Sequence, residues 1–310
     1  MTGMASSDFE GYLARIRAFT RERLIPAEHR LRPQQPMPDD LTEAMAEIGL
    51  FGISIPESYG GLGFSQEQQV RLTFEFTQAS ASFRQRFSTT IGLTSQAILD
   101  FGLEEQRRRW LPEMAAGRAT GAFALTEPEA GSDAGNLETV AVRDGAGWVI
   151  SGRKRYITNA PHADVFVLMA RTGRPEDGTR GISTFLIEGD AAGLTVEPAP
   201  DMMGHDGSLS TEVTLSDVRV PASALLGGQE GGGLKPALRG INHARTHVAA
   251  TCVGQALRLI EESLTHANRR HQFGQAIGEF QLIQAMLADS RAETAAARAL
   301  VLECARGFDR

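Results

Sequence analysis

The spacing of apolar side chains changes twice along the chain, and each change predicts a change of architecture. In the first third they recur every three to four positions. Phe9, Tyr12, Leu13, Ile16, Phe19 and Leu24 form one helical stripe, which Asp8 is placed to cap. Pro26 is expected to bend or stop that helix, since its ring clashes with the preceding turn and it donates no hydrogen bond. A second helix is expected from Asp40, with Glu43 as a capping-box partner, burying Leu41, Ala44, Met45 and Ile48 and stopping at Gly49. Pro56 and Tyr59-Gly60-Gly61-Leu62-Gly63 predict a loop. Two more helical patterns follow, one over 65–82 and one carrying Phe83, Phe87, Ile91 and Ile98.

The middle alternates instead. Val140 and Val142, then Trp148 and Ile150, flank Asp144-Gly145-Ala146-Gly147 and predict a hairpin. Val165–Ala170, Ile182–Ile187, Leu194–Glu197 and Glu212–Leu215 are further short strands between turn residues, as in an antiparallel sandwich or barrel. No strand alternates with a helix, which argues against a doubly wound dinucleotide domain. Gly227, Gly228, Gly231, Gly232 and Gly233 predict a flexible boundary. Beyond it, Leu234, Leu238, Ile241, Val248, Cys252, Ala256 and Ile260 are expected to form the buried face of a long helix, and a second helix runs from about Gln281 to the end. The expected fold is therefore α+β and multidomain. It has an N-terminal helical domain (1–121), a middle antiparallel β-barrel or sandwich (122–228) and an incomplete C-terminal helical bundle (229–310).

A length of 310 residues also exceeds what one core usually supports. The 38 acidic and 31 basic side chains give a net charge of −7, which argues against nucleic acid or an anionic membrane surface as partner. The longest strongly apolar run, Val165–Ala170, is too short to cross a bilayer. The first residues contain Asp8 and Glu10 and no apolar stretch of signal-peptide type. Cys252 and Cys304 lack metal-ligand spacing, so a reduced, cytoplasmic setting is expected.

Several chemistries find no motif. GxGxxG, HExxH and GxSxG are absent, and Gly147–Lys154 puts Arg153 where a phosphate-binding loop needs Lys, inside a β pattern. His243 and His247 share a helix face, but without a neighbouring acid or thiol they read as ordinary histidines and no metal is expected. The informative stretch is Ala124-Leu125-Thr126-Glu127-Pro128-Glu129-Ala130-Gly131-Ser132-Asp133. Its hydroxyls and a turn with free N–H groups suit a phosphate or the polar edge of a heterocycle; a polar linker explains the composition equally well.

This stretch resembles the T-E-P-x-A-G-S-D signature of the acyl-CoA dehydrogenase family. Four other segments resemble family motifs in the same order. They are Pro56–Gly63, Arg155-Tyr156-Ile157-Thr158-Asn159, Asp217-Val218-Arg219-Val220-Pro221 with Leu226-Gly227, and Arg270-His271-Gln272-Phe273-Gly274 with Phe280-Gln281. The resemblance implies an FAD enzyme that introduces a Cα–Cβ double bond into an acyl-CoA thioester. A carboxylate takes the α proton, and the β hydrogen leaves as hydride to flavin N5.

Carried over by position, Phe123, Leu125 and Thr126 are expected at the flavin ring edge, with Ser132 toward phosphate or substrate. Thr158 is expected near N5 through its hydroxyl and Ile157 through its backbone. Tyr156 stands where the family usually has Trp. Arg270, Gln272, Phe273 and Gln281 are expected at the pyrophosphate and adenine of a neighbouring subunit's FAD, which implies a homodimer or homotetramer; a helix-end charge cluster is the plainer reading. Asn242, in place of a common Asp, and Arg245 fall where the family contacts the acyl-CoA. One subgroup carries its catalytic Glu just before that Arg; here the residue is Ala244. Most members use a Glu on a later segment, and the chain is expected to stop at Arg310 short of it. The 310-residue form is then expected to show little desaturation. An electron-transfer flavoprotein is a possible acceptor. Two other readings stand beside this one: a flavin oxidase or monooxygenase of the same superfamily, and an inactive short paralogue serving as a flavin- or CoA-binding partner subunit.

Overall fold

The computed structural model describes residues 6–232 and 234–310; Gly233, one of the boundary glycines, lies outside them, as do the first five residues. The helices are α1 (Ser6–Phe19), α2 (Ile25–Ala27), α3 (Asp39–Glu47), α4 (Gln66–Phe76), α5 (Ala81–Thr89), α6 (Ser95–Phe101), α7 (Glu104–Ala115), α8 (Leu234–Arg269) and α9 (Gln281–Asp309). The strands are β1 (Gly121–Ala124), β2 (Val140–Asp144), β3 (Gly147–Thr158), β4 (Val165–Arg171), β5 (Ile182–Glu188), β6 (Leu194–Val196), β7 (Ser210–Pro221), β8 (His271–Gln272) and β9 (Gln275–Ala276). By packing they form two compact units. One gathers the stretch up to His29, Phe64–Arg84 and Arg245–Arg310; the other gathers Arg30–Gly63 and Gln85–Ala244.

The first unit is helical. Phe9 and Tyr12 of α1 meet the Phe64 ring edge-on, each with centroids 5.3 Å apart. Val70 and Phe74 of α4 pack with Ala250 and Val253 of α8 and with Val301 and Ala305 of α9. A Cβ on Gly254 would collide with the Thr77 hydroxyl, so glycine permits this close crossing. The α4 N-terminus is closed from a distance: the Asp309 carboxylate accepts from the Gln66 and Glu67 N–H groups at 2.8 and 2.9 Å.

Three expectations change in this unit. Pro26 does not stop the helix, because the chain widens into a π turn over Thr20–Leu24 whose bond runs from Ile25 N–H to Thr20 O. The 65–82 pattern is helical only to Phe76, starting from a Ser65–Gln68 capping box. The α8 helix is present and Leu234 is buried as expected, but further along the helix the buried face is not the expected one. Val248 is 57% exposed and Cys252 is exposed, while Ala250, Val253 and Ala267 are buried. Small side chains let α8 approach its neighbours, and the larger residues that dominate a hydrophobicity pattern fall elsewhere on the helix.

The second unit is a seven-stranded sheet with helices on one face. Strand order is β1-β4-β2-β3-β7-β6, and β5 also pairs with β4. The β2–β3 hairpin closes at Asp144–Gly147 as expected. β4 is buried along Val165–Ala170, with alternate residues entering two cores. Val165, Val167 and Met169 join Ile98, Leu111 and Met114 of the helices. Phe166, Leu168 and Ala170 join Trp148, Ile150 and Phe185 on the other face. That explains an unbroken apolar run in a strand. The sheet departs from antiparallel at β4, to which both β1 and β2 run parallel. Here too the Asp40 cap is corrected. α3 begins at Asp39 after Pro38, and the Asp40 carboxylate is taken by Arg30 at 2.6 and 2.9 Å. Gly49 does end the helix region in a left-handed conformation, φ 90°.

Candidate functional site

The stretch Ala124–Asp133 leaves the end of β1 and folds against β3. No β ladder joins β1 to β3 among the described residues; three hydrogen bonds from β3 hold the segment that follows β1 instead. Arg155 N–H donates to the Thr126 carbonyl at 2.8 Å. The Lys154 ammonium donates to the Leu125 carbonyl at 3.3 Å and to the Glu127 carboxylate at 2.7 Å. Lys154 and Glu127 side chains are 0% and 4% exposed, so this is a buried ion pair. Glu127 also accepts from Thr139 N–H (3.0 Å), Thr139 Oγ1 (2.5 Å) and Glu138 N–H (2.5 Å). Burial pushes the Glu127 carboxyl up, but the Lys154 charge and the bonds from Lys154, Thr139 and Glu138 outweigh it, and its pKa falls below the ordinary value. Burial pulls the Lys154 ammonium down to about 8, against the attraction of Glu127.

The expected turn is thus less open than its composition suggests. Glu127 and Ala130 are buried and exchange backbone hydrogen bonds at 3.0 and 3.3 Å, so those two N–H groups are already used. Pro128, Glu129 and Gly131–Asp133 are exposed, Ser132 among them. Phe123 and Thr126 are half-buried and Leu125 is buried.

Immediately after Lys154, β3 bulges against β7: Lys154 pairs with Val213, but Ile157 pairs with Thr211. The extra residue turns Tyr156 outward with φ 58° and leaves its ring 61% exposed. A non-glycine residue in this region is strained, and such strain collects at functional sites. The Arg155 guanidinium lies 4.8 Å from the Tyr156 ring centroid and pairs with Glu212 at 3.2 Å. Ile157 returns to the core. Thr158 is half-buried, and its hydroxyl meets that of Ser210 at 2.9 Å. If Ser210 donates, the Thr158 proton is left for a third group. Asn159, also left-handed at φ 63°, donates from Nδ2 to the Gln85 and Arg86 carbonyls, anchoring the strand end to α5.

The structure therefore holds the Leu125–Glu127 stretch, just after Phe123 on β1, against β3 at a rim where Tyr156 is exposed and Thr126 and Thr158 are half-buried; Leu125 and Ile157 themselves are buried in different cores. Lys154, Glu127 and Ser210, which hold this stretch together, were not singled out as candidates from the sequence. Lys154 carried a readable signal, since it stands in phase with the inward Trp148 and Ile150, where a lysine is costly unless paired.

The other expected residues lie on α8 and beyond. Asn242, Ala244 and Arg245 follow one another on α8, with Asn242 and Arg245 exposed and Ala244 half-buried. His243 and His247 belong to no group of three or more metal-ligating side chains among the described residues. Arg270 closes the end of α8, its N–H donating to the His266 carbonyl at 2.8 Å, while Gln272 and Phe273 lie on a small β8–β9 hairpin between α8 and α9. Phe273 (φ 52°) and Gly274 (φ 84°) form its tip, as a type I′ turn requires. The Phe273 ring is 94% exposed, edge-on to Phe280 at 6.2 Å, and exposed Gln281 opens α9. An open aromatic at the tip, an amide beside it and a guanidinium at the hairpin base are groups of the kind that suit a diphosphate next to a flat base.

Sequence profiles match almost the whole chain. The acyl-CoA dehydrogenase N-terminal domain matches residues 6–118, the middle domain 122–218 and the C-terminal domain 231–310. The chain belongs to the acyl-CoA dehydrogenase family. Among relatives, it is 38% identical over 290 residues to the probable acyl-CoA dehydrogenase YngJ of Bacillus subtilis, covering 94% of this chain and 76% of that protein. It is 36% identical over 272 residues to the caffeyl-CoA reductase-Etf complex subunit CarC of Acetobacterium woodii, covering 88% of this chain and 71% of that protein. Among solved structures, a glutaryl-CoA dehydrogenase from Mycobacterium smegmatis in complex with FADH2 superposes with TM-score 0.88 at 30% identity, covering 97% of this chain and 76% of that one. Relatives of this acyl-CoA dehydrogenase family chain thus work on acyl-CoA thioesters in both named directions, dehydrogenation and reduction. Among the described residues, no helix is long and apolar enough to cross a membrane.

Proposed function

We propose that this chain is an FAD-dependent oxidoreductase that interconverts an acyl-CoA and its 2,3-unsaturated thioester. The observation that carries the reading is the junction of the Leu125–Glu127 stretch with the β3 bulge, which leaves the Tyr156 ring facing outward next to half-buried Thr158. The fit to a flavin is chemical: an open aromatic offers a stacking face, and hydroxyls and strand backbone offer partners to a heterocycle's polar edge. When bound, FAD supplies the two-electron chemistry that a Cα–Cβ single bond needs to become double.

The protein's own work is placement. Thr126 and the backbone of Phe123 and Leu125 hold the ring edge, Ile157 and Thr158 the opposite strand, and Ser132 the end nearest phosphate or substrate. Arg270, Gln272, Phe273 and Gln281 serve the diphosphate and adenine of an FAD held by another copy, so the working form is a homodimer or homotetramer. Asn242 and Arg245 contact the acyl-CoA. Ala244 cannot take a proton, so the α8 position used as base in one subgroup is chemically silent here. An electron-transfer flavoprotein is the proposed acceptor, supported by the Etf-complexed relative.

The test is anaerobic mixing of the FAD-loaded protein with CoA thioesters bearing short, branched and aryl acyl groups. At least one should perturb the visible flavin band on binding and bleach it slowly. Bound FAD that responds to no thioester would refute the reading and favour the partner-subunit alternative.

A further inference from the structure

We propose that Glu127 and Lys154 are the positioning pair of the flavin platform, locking the Leu125–Thr126 edge to the bulged strand that presents Tyr156 and Thr158. The inference rests on the FAD reading above and concerns residues to which that reading gives no role.

Register makes the argument. Side chains of a strand alternate, so a slip of one residue in β3 would turn Tyr156 inward and Lys154 outward. Lys154 is the last inward residue before the bulge, and the extra residue behind it is what lets Tyr156 face out while Ile157 faces in. A buried ammonium cannot stay there without its carboxylate, so the pair fixes where the bulge begins.

The same pair fixes the other edge. Lys154 draws the Leu125 carbonyl and the Glu127 carboxylate to one point, at 3.3 and 2.7 Å. Thr139 and Glu138 occupy the remaining acceptor positions of that carboxylate. The segment between them is exposed from Gly131 to Asp133, so this anchor does what core packing does elsewhere. Net stability does not account for it, because buried pairs are often replaced by apolar residues at no loss. Specification of one geometry does.

The experiment compares wild type, Lys154→Met and Glu127→Gln/Lys154→Met. Each is titrated with FAD by fluorescence quenching, and each loaded form is examined by visible circular dichroism, with melting of the FAD-free protein in parallel. The double variant should melt close to wild type, since it leaves no charge unpaired. It should still bind FAD roughly tenfold or more weakly, the scale at which groups supporting a site's direct contacts act, and its flavin dichroism should change. A double variant with wild-type affinity and dichroism overturns the proposal. If it does not fold, Thr139→Val decides, because it removes one support of Glu127 and keeps the pair. Weaker FAD binding at unchanged melting supports positioning; lower melting at unchanged affinity overturns it. Wild type that binds no FAD would instead sink the FAD reading itself.

Discussion

Tyr156 offers the sharpest separation of stability from function. Its φ of 58° lies in the left-handed region, where an L-residue other than glycine costs about 1–2 kcal/mol. Replacing Tyr156 by Ala and by Gly removes the ring and its Arg155 contact equally, so those losses cancel between the two variants. Alanine keeps the strain and glycine relieves it, while glycine gives back about 0.5–1 kcal/mol through unfolded-chain entropy. Tyr156→Gly should therefore be more stable than Tyr156→Ala by about 0.5–1 kcal/mol, with Tyr156→Asn between them because asparagine tolerates this conformation.

The assay is available in the chain itself. Its two tryptophans, Trp110 and Trp148, both lie in the sheet-containing unit, so thermal unfolding followed by their fluorescence reports that unit. The expected separation is about 2–4 °C per kcal/mol for a unit of this size. FAD binding should respond differently, falling roughly three- to tenfold in both variants, since an aromatic stacking contact contributes about 0.5–1.5 kcal/mol. Alanine as stable as glycine would refute strain at this residue. Unchanged FAD affinity in both would refute the ring's place on the platform.

Three other outcomes follow from the same geometry. Lys154→Met alone should cost about 3–5 kcal/mol at neutral pH, measured by denaturant unfolding, because it strands the Glu127 carboxylate in the interior. Glu127 has a lowered folded pKa, so its contribution is fully present above the unfolded carboxylate value of about 4.3 and is lost as pH falls through the folded value. Acid titration should therefore destabilise wild type more than Glu127→Gln/Lys154→Met, and equal acid sensitivity would contradict the assignment. Gly254→Ala should destabilise the helical unit by about 1–3 kcal/mol despite better helix propensity, because its Cβ meets the Thr77 hydroxyl; adding Thr77→Ala should recover part of the loss in chemical denaturation. Ala244→Glu should speed flavin bleaching by an acyl-CoA about a hundredfold or more if α8 presents this position to the substrate, and an unchanged stopped-flow rate would remove it from the site.

What the sequence displayed and what it concealed have different physical origins. β4 was legible because Val165–Ala170 is buried on both faces and therefore apolar throughout. The β2–β3 hairpin was legible through its Asp-Gly turn, and the helix end at Gly49 through a residue that enters the left-handed region at low cost. The charged segment Glu104–Ala115 was not read as a helix, since its polar face outweighs Leu111 and Met114, the two large apolar residues among its four buried ones. The buried side of α8 escaped because alanine and glycine carry the packing there. The rim itself was legible only as motif letters. Alternation shows that Tyr156 and Ile157 cannot both follow Lys154 in phase, but not that a bulge resolves the conflict, because the partner strand β7 is more than fifty residues away.

That conflict also explains where the unit places its costly features. Two left-handed non-glycine residues, a bulge and a buried ion pair all fall between Glu127 and Asn159. Each is unfavourable or near neutral by itself. None would persist on a loosely packed sheet, because the strand could relax by slipping or by flattening the bulge. β4 prevents both, with six consecutive buried residues dividing between two cores, and Asn159 prevents fraying by binding the backbone of α5 at Gln85 and Arg86. Loosening that scaffold should therefore damage the platform before it unfolds the protein. A cavity made by Leu168→Ala, which costs about 2–5 kcal/mol, should lower FAD affinity at temperatures well below its own melting transition, and unchanged affinity there would refute the scaffold's role.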